Sequence, residues 1–494
     1  MNDDGGRANL AAIPGHTRPD PRRWAALVVL CTATFIIILD GSIVFVAVPS
    51  MSMDLALTPS AVQWVVSSYL LSFGGLLLLG GRIADLLGRR RMFMLGSGLL
   101  AVSALLCGLA WSVEILIAAR VLQGFSAAIM TPTALSILVN MFAEGRERNK
   151  ALGVWSSAGG VGGTVGALLG GPLTSGPGWS WIFYVNIPFA VLMVVLSPLL
   201  LKESFDRTRA RTFDVAGALT STAALVLLVF AIVDAPTAGW GSGQTIGLFV
   251  AVLVLLVAFV AVERRSASPL LPLHYFRGRG FVGGNLVIVA VGMVVHGGMG
   301  FIMTQYAQIY LGYSPVQYGL MFAVMTVLTI VGSALAGGPL VLRFGPRPVA
   351  VAGLLLIGAS ALSLSAISVP GSFVDDMLLG MLLFGPGLGL AFVAGSVAGL
   401  AGVPARDSGV ASGVNNASFH IGGALGIAIM STVALTAASG PNPAAATVAG
   451  FGVAFVVAIG FAVLGILAAL VLLRRPSHTA TTTVITPDRG RRAA

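Results

Sequence analysis

The chain has 494 residues, of which 56% are hydrophobic and only 9% charged, and it carries a formal net charge of +10. Such a composition excludes a soluble globular protein and points to a chain that lives in lipid. The positive charge does not indicate a nucleic-acid partner, because it is dispersed: all of the 28 Lys and Arg except Arg120 lie in hydrophilic breaks between apolar runs.

Read in chain order, fourteen runs are long and apolar enough to cross a bilayer as helices, near 24–48, 61–80, 92–110, 113–139, 151–173, 181–201, 214–234, 244–262, 281–303, 316–336, 349–369, 377–400, 409–435 and 447–473. Alternate loops hold the basic clusters: Arg82 with Arg89–Arg91, Arg146/Arg148/Lys150, Lys202/Arg207/Arg209/Arg211, Arg264/Arg265/Arg277/Arg279, Arg343/Arg347 and Arg406. The opposite loops have acids such as Asp54, Asp375 and Asp376 but no Lys or Arg. The positive-inside rule then predicts a multi-pass protein of a bacterial cell membrane with both termini cytoplasmic.

Composition predicts disordered tails over 1–23 and 474–494. Cys31 and Cys107 both fall in apolar runs, so no disulfide framework is implied. The first apolar run is too long for a cleavable signal. No hydrophilic loop is long enough for a soluble catalytic domain, and no zinc-protease, nucleophile-elbow or Walker A pattern occurs, so neither an enzyme, a metal site nor a cofactor is expected.

Internal repetition organises the spans. Gly80-Gly81-Arg82-Ile83-Ala84-Asp85-Leu86-Leu87-Gly88-Arg89-Arg90-Arg91 closes the second, and Gly337-Gly338-Pro339-Leu340-Val341-Leu342-Arg343-Phe344-Gly345-Pro346-Arg347-Pro348 closes the tenth at an offset of 257 residues. Gly96 and Gly353 keep the same offset, and Thr58-Pro59 with Gln63 is answered by Ser314-Pro315 with Gln317. Two related six-helix halves, 24–201 and 281–473, are expected, with 202–280 as a two-helix insertion and its linkers. Paired halves rocking about a midplane site are a transporter design.

The Gly80–Arg91 loop resembles the signature between the second and third helices of the major facilitator superfamily. Gly81, Asp85, Gly88, Arg89 and Arg90 are the positions that carry it, and the resemblance implies a conformational switch loop. Four further segments resemble the superfamily's fourteen-helix drug:proton antiporters: Leu39-Asp40-Gly41-Ser42-Ile43-Val44-Phe45 through Pro49, where Phe45 replaces the usual Asn; Arg120-Val121-Leu122-Gln123-Gly124; Trp181-Ile182-Phe183-Tyr184-Val185-Asn186-Ile187-Pro188; and Gln305-Tyr306-Ala307-Gln308 through Gly319. Ser408–Asn416 with Gly422–Gly426 completes the set. In helix five, Gly159, Gly163, Gly166, Gly170 and Gly171 are similar to the antiporter motif, although Ala167 stands where its proline usually does and Pro172 follows the glycine pair. These glycines suit a helix–helix seam and a barrier to leak equally well.

Asp40 and Arg120 are the charges placed deep in the membrane, and such residues need a partner or a purpose. A rise of ~1.5 Å per residue puts them within about two helical turns of each other in depth. They are the candidate proton-coupling pair. Gln123, His296, Gln305, Gln308, Asn415, Asn416 and His420 are candidates to line a substrate cavity, though Asn and His also bridge helices. No acid lies deep in the second half, so neutral, zwitterionic or anionic amphiphiles should be preferred over lipophilic dications. The expected protein is a monomeric proton-driven exporter of an amphipathic small molecule, with protons and the lipid bilayer as its other partners. The competing expectation is a passive or importing facilitator of a small nutrient.

Overall fold

The computed structural model describes residues 21–142, 145–205, 214–266, 269, 271, 273–404, 407–438 and 440–473. Residues 1–20 and 474–494 of the tails and the basic residues Arg207, Arg209, Arg211 and Arg406 lie outside them, while the last residue of the expected N-terminal tail, Arg23, already belongs to the first helix. Among the described residues, fourteen helices are long and apolar enough to cross a membrane: α1 Arg23–Asp54, α2 Pro59–Leu87, α3 Arg89–Gly108, α4 Val113–Met141, α5 Arg146–Ser175, α6 Trp181–Leu200, α7 Val215–Ala238, α8 Gly243–Arg265, α9 Arg279–Tyr310, α10 Pro315–Leu335, α11 Pro346–Leu364, α12 Phe373–Leu400, α13 Gly409–Ala437 and α14 Pro443–Leu472. No strand occurs among the described residues.

The helices outrun the apolar stretches at their ends. Asp54 is the last residue of α1, and Asp375 and Asp376 sit in the first turn of α12 rather than in loops. Within α9 the backbone widens to π-helical pairing over Val294–Ile302 and again over Tyr306–Tyr310. Apolar patterning is blind to that change, since it alters the hydrogen-bond register and not the side-chain chemistry.

The repeated segments prove to be helix punctuation. Thr58 caps α2 through its hydroxyl, accepting from the Ala61 amide at 3.3 Å, and Pro59 opens the helix. Ser314 caps α10 in a reciprocal capping box with Gln317, and Pro315 opens that helix. Gly88 and Gly345, 257 residues apart, both turn the chain at positive φ, 108° and 78°. Side chains other than glycine are strained there. Gly96 lets α3 press on α4 at Met130, and Gly353 lets α11 approach the α12 backbone, where a Cβ would stand 2.5 Å from the Ala391 nitrogen. The 257-residue offset therefore recurs in turns and packing, and the helix caps match one residue short of it, Thr58 and Ser314 being 256 apart.

Helices α1–α6 and α9–α14 pack as two six-helix groups, and α7 and α8, which pair with each other, are the insertion between them. The insertion is more than an appendage. Helix α7 straddles the line where α2 meets α13: Thr222 fills the space above Gly75 of α2, the Phe230 ring lies 6.5 Å from Trp64, and Thr432 of α13 donates to the Ile232 carbonyl at 3.3 Å. Helix α8 turns Leu253, Val254 and Val257 outward, each about three-fifths exposed, as a lipid-facing helix would.

Candidate coupling site and passage

Four side chains from three helices meet inside the first half. Asp40 of α1 accepts from Arg120 at 2.9 Å through Oδ2, and from Gln123 and Asn186, each at 2.9 Å, through Oδ1. Arg120 also donates to Gln123 Oε1 at 2.8 Å and to the Val65 carbonyl at 3.2 Å, and its guanidinium lies 4.3 Å from the centre of the Tyr69 ring. Asp40 and Arg120 are each 1% exposed and Gln123 is fully buried. Burying two charges costs several kcal/mol each unless geometry and hydrogen bonding compensate, and here both carboxylate oxygens and the guanidinium are engaged. The expected depth match of Asp40 and Arg120 becomes a direct ion pair. Gln123 stands within this network rather than along an open cavity. Asn186 was not singled out by sequence reasoning. The available signal was its place as the polar residue inside the apolar Trp181–Pro188 segment.

The remaining polar candidates separate into three groups. Asn415 is a helix bridge: it accepts from Ser396 of α12 at 2.9 Å and donates to Asn285 of α9 at 3.4 Å. Asn416 folds back on its own helix, donating to the Ser412 carbonyl. Gln308 reaches across the halves to the Val46 carbonyl at 2.9 Å, and Gln305 lies half-buried one turn earlier on α9. His296 and His420 face each other with ring centres 6.3 Å apart, among Phe45, Phe73 and Phe419.

Where α5 meets α10, the halves touch tightly at one end only. Helix five resolves into two glycine stripes. Gly159, Gly162, Gly166 and Gly170 seat α1, and a Cβ at Gly162 would stand 2.3 Å from the Phe35 carbonyl oxygen. Gly160 and Gly171 face α10 of the other half, and Gly163 stands between the two stripes, where a Cβ would lie 3.6 Å from Ile38 of α1 and 4.0 Å from Thr326 of α10. At the end away from the basic loops, a Cβ on Gly171 would lie 2.4 Å from Val316 Cα, and one on Gly319 would lie 2.4 Å from the Ala167 oxygen. Nearer the middle the approach relaxes to 4.0 Å at Gly163 and Thr326 and 3.8 Å at Gly160 and Ile330. Gly153 and Gly337, each two turns further on the same faces, meet nothing of the opposite helix within 4 Å. The Phe45 ring completes the seal, pressing into the space left by Gly300 of α9 at 2.8 Å from where a Cβ would be. The α5–α10 seam is thus closed at the acidic end and splayed at the basic end, while α2 and α13 stay together toward the basic end, where a Cβ on Gly413 would lie 2.7 Å from Leu78.

At the basic end the α2–α3 loop is held within its own half. Asp85 pairs with Arg89 at 2.9 Å. Helix α3 begins after Gly88, which has no side chain to cap it, and Glu203 supplies the cap from beyond α6: its carboxylate accepts from the amides of Arg90 at 3.0 Å and Arg91 at 3.3 Å. Sequence reading gave Glu203 no role. The signal was an acid beside Lys202 together with a helix start that lacks its own cap. Glu203→Ala should cost about 1–2 kcal/mol and Glu203→Gln less, because one acceptor remains. Thermal unfolding of the purified protein should rank wild type above Gln and Gln above Ala.

The sequence model of the Major Facilitator Superfamily matches residues 30–427 and again 286–492. The chain is a member of the major facilitator superfamily. Over 98% of its length the transporter is 37% identical to the puromycin resistance protein pur8 of Streptomyces alboniger, covering 99% of that protein. It is 36% identical to the cephamycin export protein CmcT of Amycolatopsis lactamdurans, across 87% of this chain and 89% of the relative. The tetracenomycin C resistance and export protein of Streptomyces glaucescens is 32% identical, across 83% of this chain and 75% of the relative. These relatives place it among antibiotic and multidrug efflux transporters. In fold it superposes on the POT family transporter PepTSo with a TM-score of 0.65 at 17% identity, covering 92% of this chain and 97% of that structure.

Proposed function

We propose that this transporter is a proton-coupled exporter that moves an amphipathic organic compound, an antibiotic, drug or secreted metabolite, out of a bacterial cell. The observation that carries the reading is the buried Asp40–Arg120 pair with Gln123 and Asn186: a carboxylate at mid-depth, held by the half that must rock. Export rather than import is supported by the relatives, which are described as resistance and export proteins. The basic end is assigned to the cytoplasm, so the structure corresponds to an inward-facing state. Residues 24–201 and 281–473 are assigned as the rocking halves, Asp85 and its loop as the switch between states, and the protein acts as a monomer.

The decisive experiment is a substrate-induced collapse of a dye-reported pH gradient in inverted vesicles, run against a panel of antibiotics, dyes and metabolites. Export coupled to protons gives a substrate-dependent collapse, and a passive facilitator gives transport without it. The facilitator remains the second reading for a specific reason. Asp40 already accepts three side-chain donors, as a permanently structural carboxylate would.

Orientation is checked separately. In a chain with Cys31 and Cys107 replaced by serine, Asp375→Cys should react with an impermeant thiol reagent added to whole cells, and Lys150→Cys should react only in inverted vesicles. The reverse pattern overturns the assignment of the basic end.

A further inference from the structure

We propose that His296 and His420 form a second proton-binding site, separate from the Asp40–Arg120 pair, at which one proton loosens the contacts between the two halves. The proposal rests on the rocking motion assigned above but not on proton-driven export. Both rings are 8% exposed and both sit on cross-half contacts. His420 stacks on Phe73 of α2 with ring centres 4.1 Å apart, and its Cβ lies 3.1 Å from where a Cβ on Gly74 would be. His296 lies 6.1 Å from Phe45, the ring that plugs the space at Gly300. One imidazole therefore touches the α2–α13 contact and the other touches the seal between α1 and α9.

Each ring has a nitrogen able to take a proton. His296 Nδ1 lies 3.1 Å from the Gly292 carbonyl, which can only accept, so Nδ1 carries the hydrogen and the lone pair stays on Nε2. His420 Nδ1 is buried with no hydrogen-bond partner in the protein. Among the described residues no carboxylate is packed against either ring. Helix α1 presents Phe45, α2 presents Phe73 and Gly74, and α13 presents Phe419; the facing titratable group is the other histidine. Tyr69 follows behind Phe73, 5.8 Å between ring centres, with Arg120 on its far side and Asp40 beyond. A charged imidazole in this apolar nest would lack both water and a counter-ion. The protonated form is therefore favoured where the contacts part and water enters, and by linkage acid shifts the population toward that parted state. Two charges so close repel, so the pair holds one proton at a time.

The test is a distance measurement that needs no substrate. With Cys31 and Cys107 changed to serine, spin labels at Leu87→Cys and Gly409→Cys report the separation of the basic ends of α2 and α13 in nanodiscs. Between pH 8 and pH 5.5 the population at longer distance should grow about fivefold or more in the otherwise native protein. That growth should vanish in His296→Asn/His420→Asn. Should the asparagine pair fail to fold, His296→Phe/His420→Phe keeps ring volume and stacking and is expected to be equally insensitive. A wild-type distance distribution that does not change with pH overturns the proposal, as does a histidine-free pair that responds like wild type. A pH-dependent distance without proton-driven export would support this site while removing the exporter reading.

Discussion

Asp40→Asn should cost the transporter its folded yield before it reveals anything about coupling. The Oδ2 position faces the Arg120 guanidinium at 2.9 Å, and Oδ1 receives amide donors from both Gln123 and Asn186. Asparagine offers one acceptor where the carboxylate offers two. Whichever way its amide is turned, an N–H meets another donor, and Arg120, 1% exposed, keeps a charge with no counter-ion. Removing one member of a buried pair costs about 3–5 kcal/mol. The expected result in detergent-solubilised membranes is a markedly reduced monodisperse peak for Asp40→Asn. The double change Asp40→Asn with Arg120→Gln should recover most of the yield, because no isolated charge remains. If Asp40 handles the transported proton, the recovered double variant exchanges substrate down its gradient but does not collapse a pH gradient on substrate addition. Uphill, proton-driven export by the double variant would move the coupling site elsewhere.

Gly171→Ala should cripple transport while leaving the protein folded. Its added methyl would lie 2.4 Å from Val316 Cα and 2.7 Å from the Pro315 carbonyl oxygen, all backbone of the opposite half. Overpacking of this kind typically costs about 1–3 kcal/mol, and here the cost falls on the sealed state alone. That corresponds to a population shift of roughly 5- to 150-fold toward states open at the outer end. Gly162→Ala is the informative contrast. Its methyl meets the Phe35 carbonyl oxygen at 2.3 Å inside the first half, so it should lower thermal stability in every state. Transport per folded molecule and melting temperature, measured for both variants, separate the two kinds of seam. Equal loss of stability in both would mean that the α5–α10 contact is a static part of the fold.

Much of this architecture is legible in the sequence for a physical reason. Lipid cannot hydrogen-bond a backbone, so each long apolar run has to close its own bonds as a helix. The fourteen spans, the paired halves and the pairing of caps and turns at Thr58/Ser314 and Gly88/Gly345 all follow from local rules. The depth of Asp40 and Arg120 was likewise readable, because rise per residue converts position into height. Rotation about the helix axis is what the one-dimensional pattern leaves open, and rotation decides partners. The tertiary packing turned Gln123 toward Asp40, brought Asn186 in from a third helix, sent Asn415 to a bridge with Asn285 and set Gln308 across the seal. It sorted the helix-five glycines into one stripe inside a half and one between halves. It also laid α7 over the α2–α13 line, which no repeat could disclose because the insertion has no counterpart. Sequence alone determined which segments form helices long and apolar enough to cross a membrane and how those helices begin and turn, since these depend on chain-local hydrogen bonding and transfer from water. Only the tertiary structure decided which groups meet and which end is sealed, since these depend on helix rotation and on close approach between residues far apart in the chain.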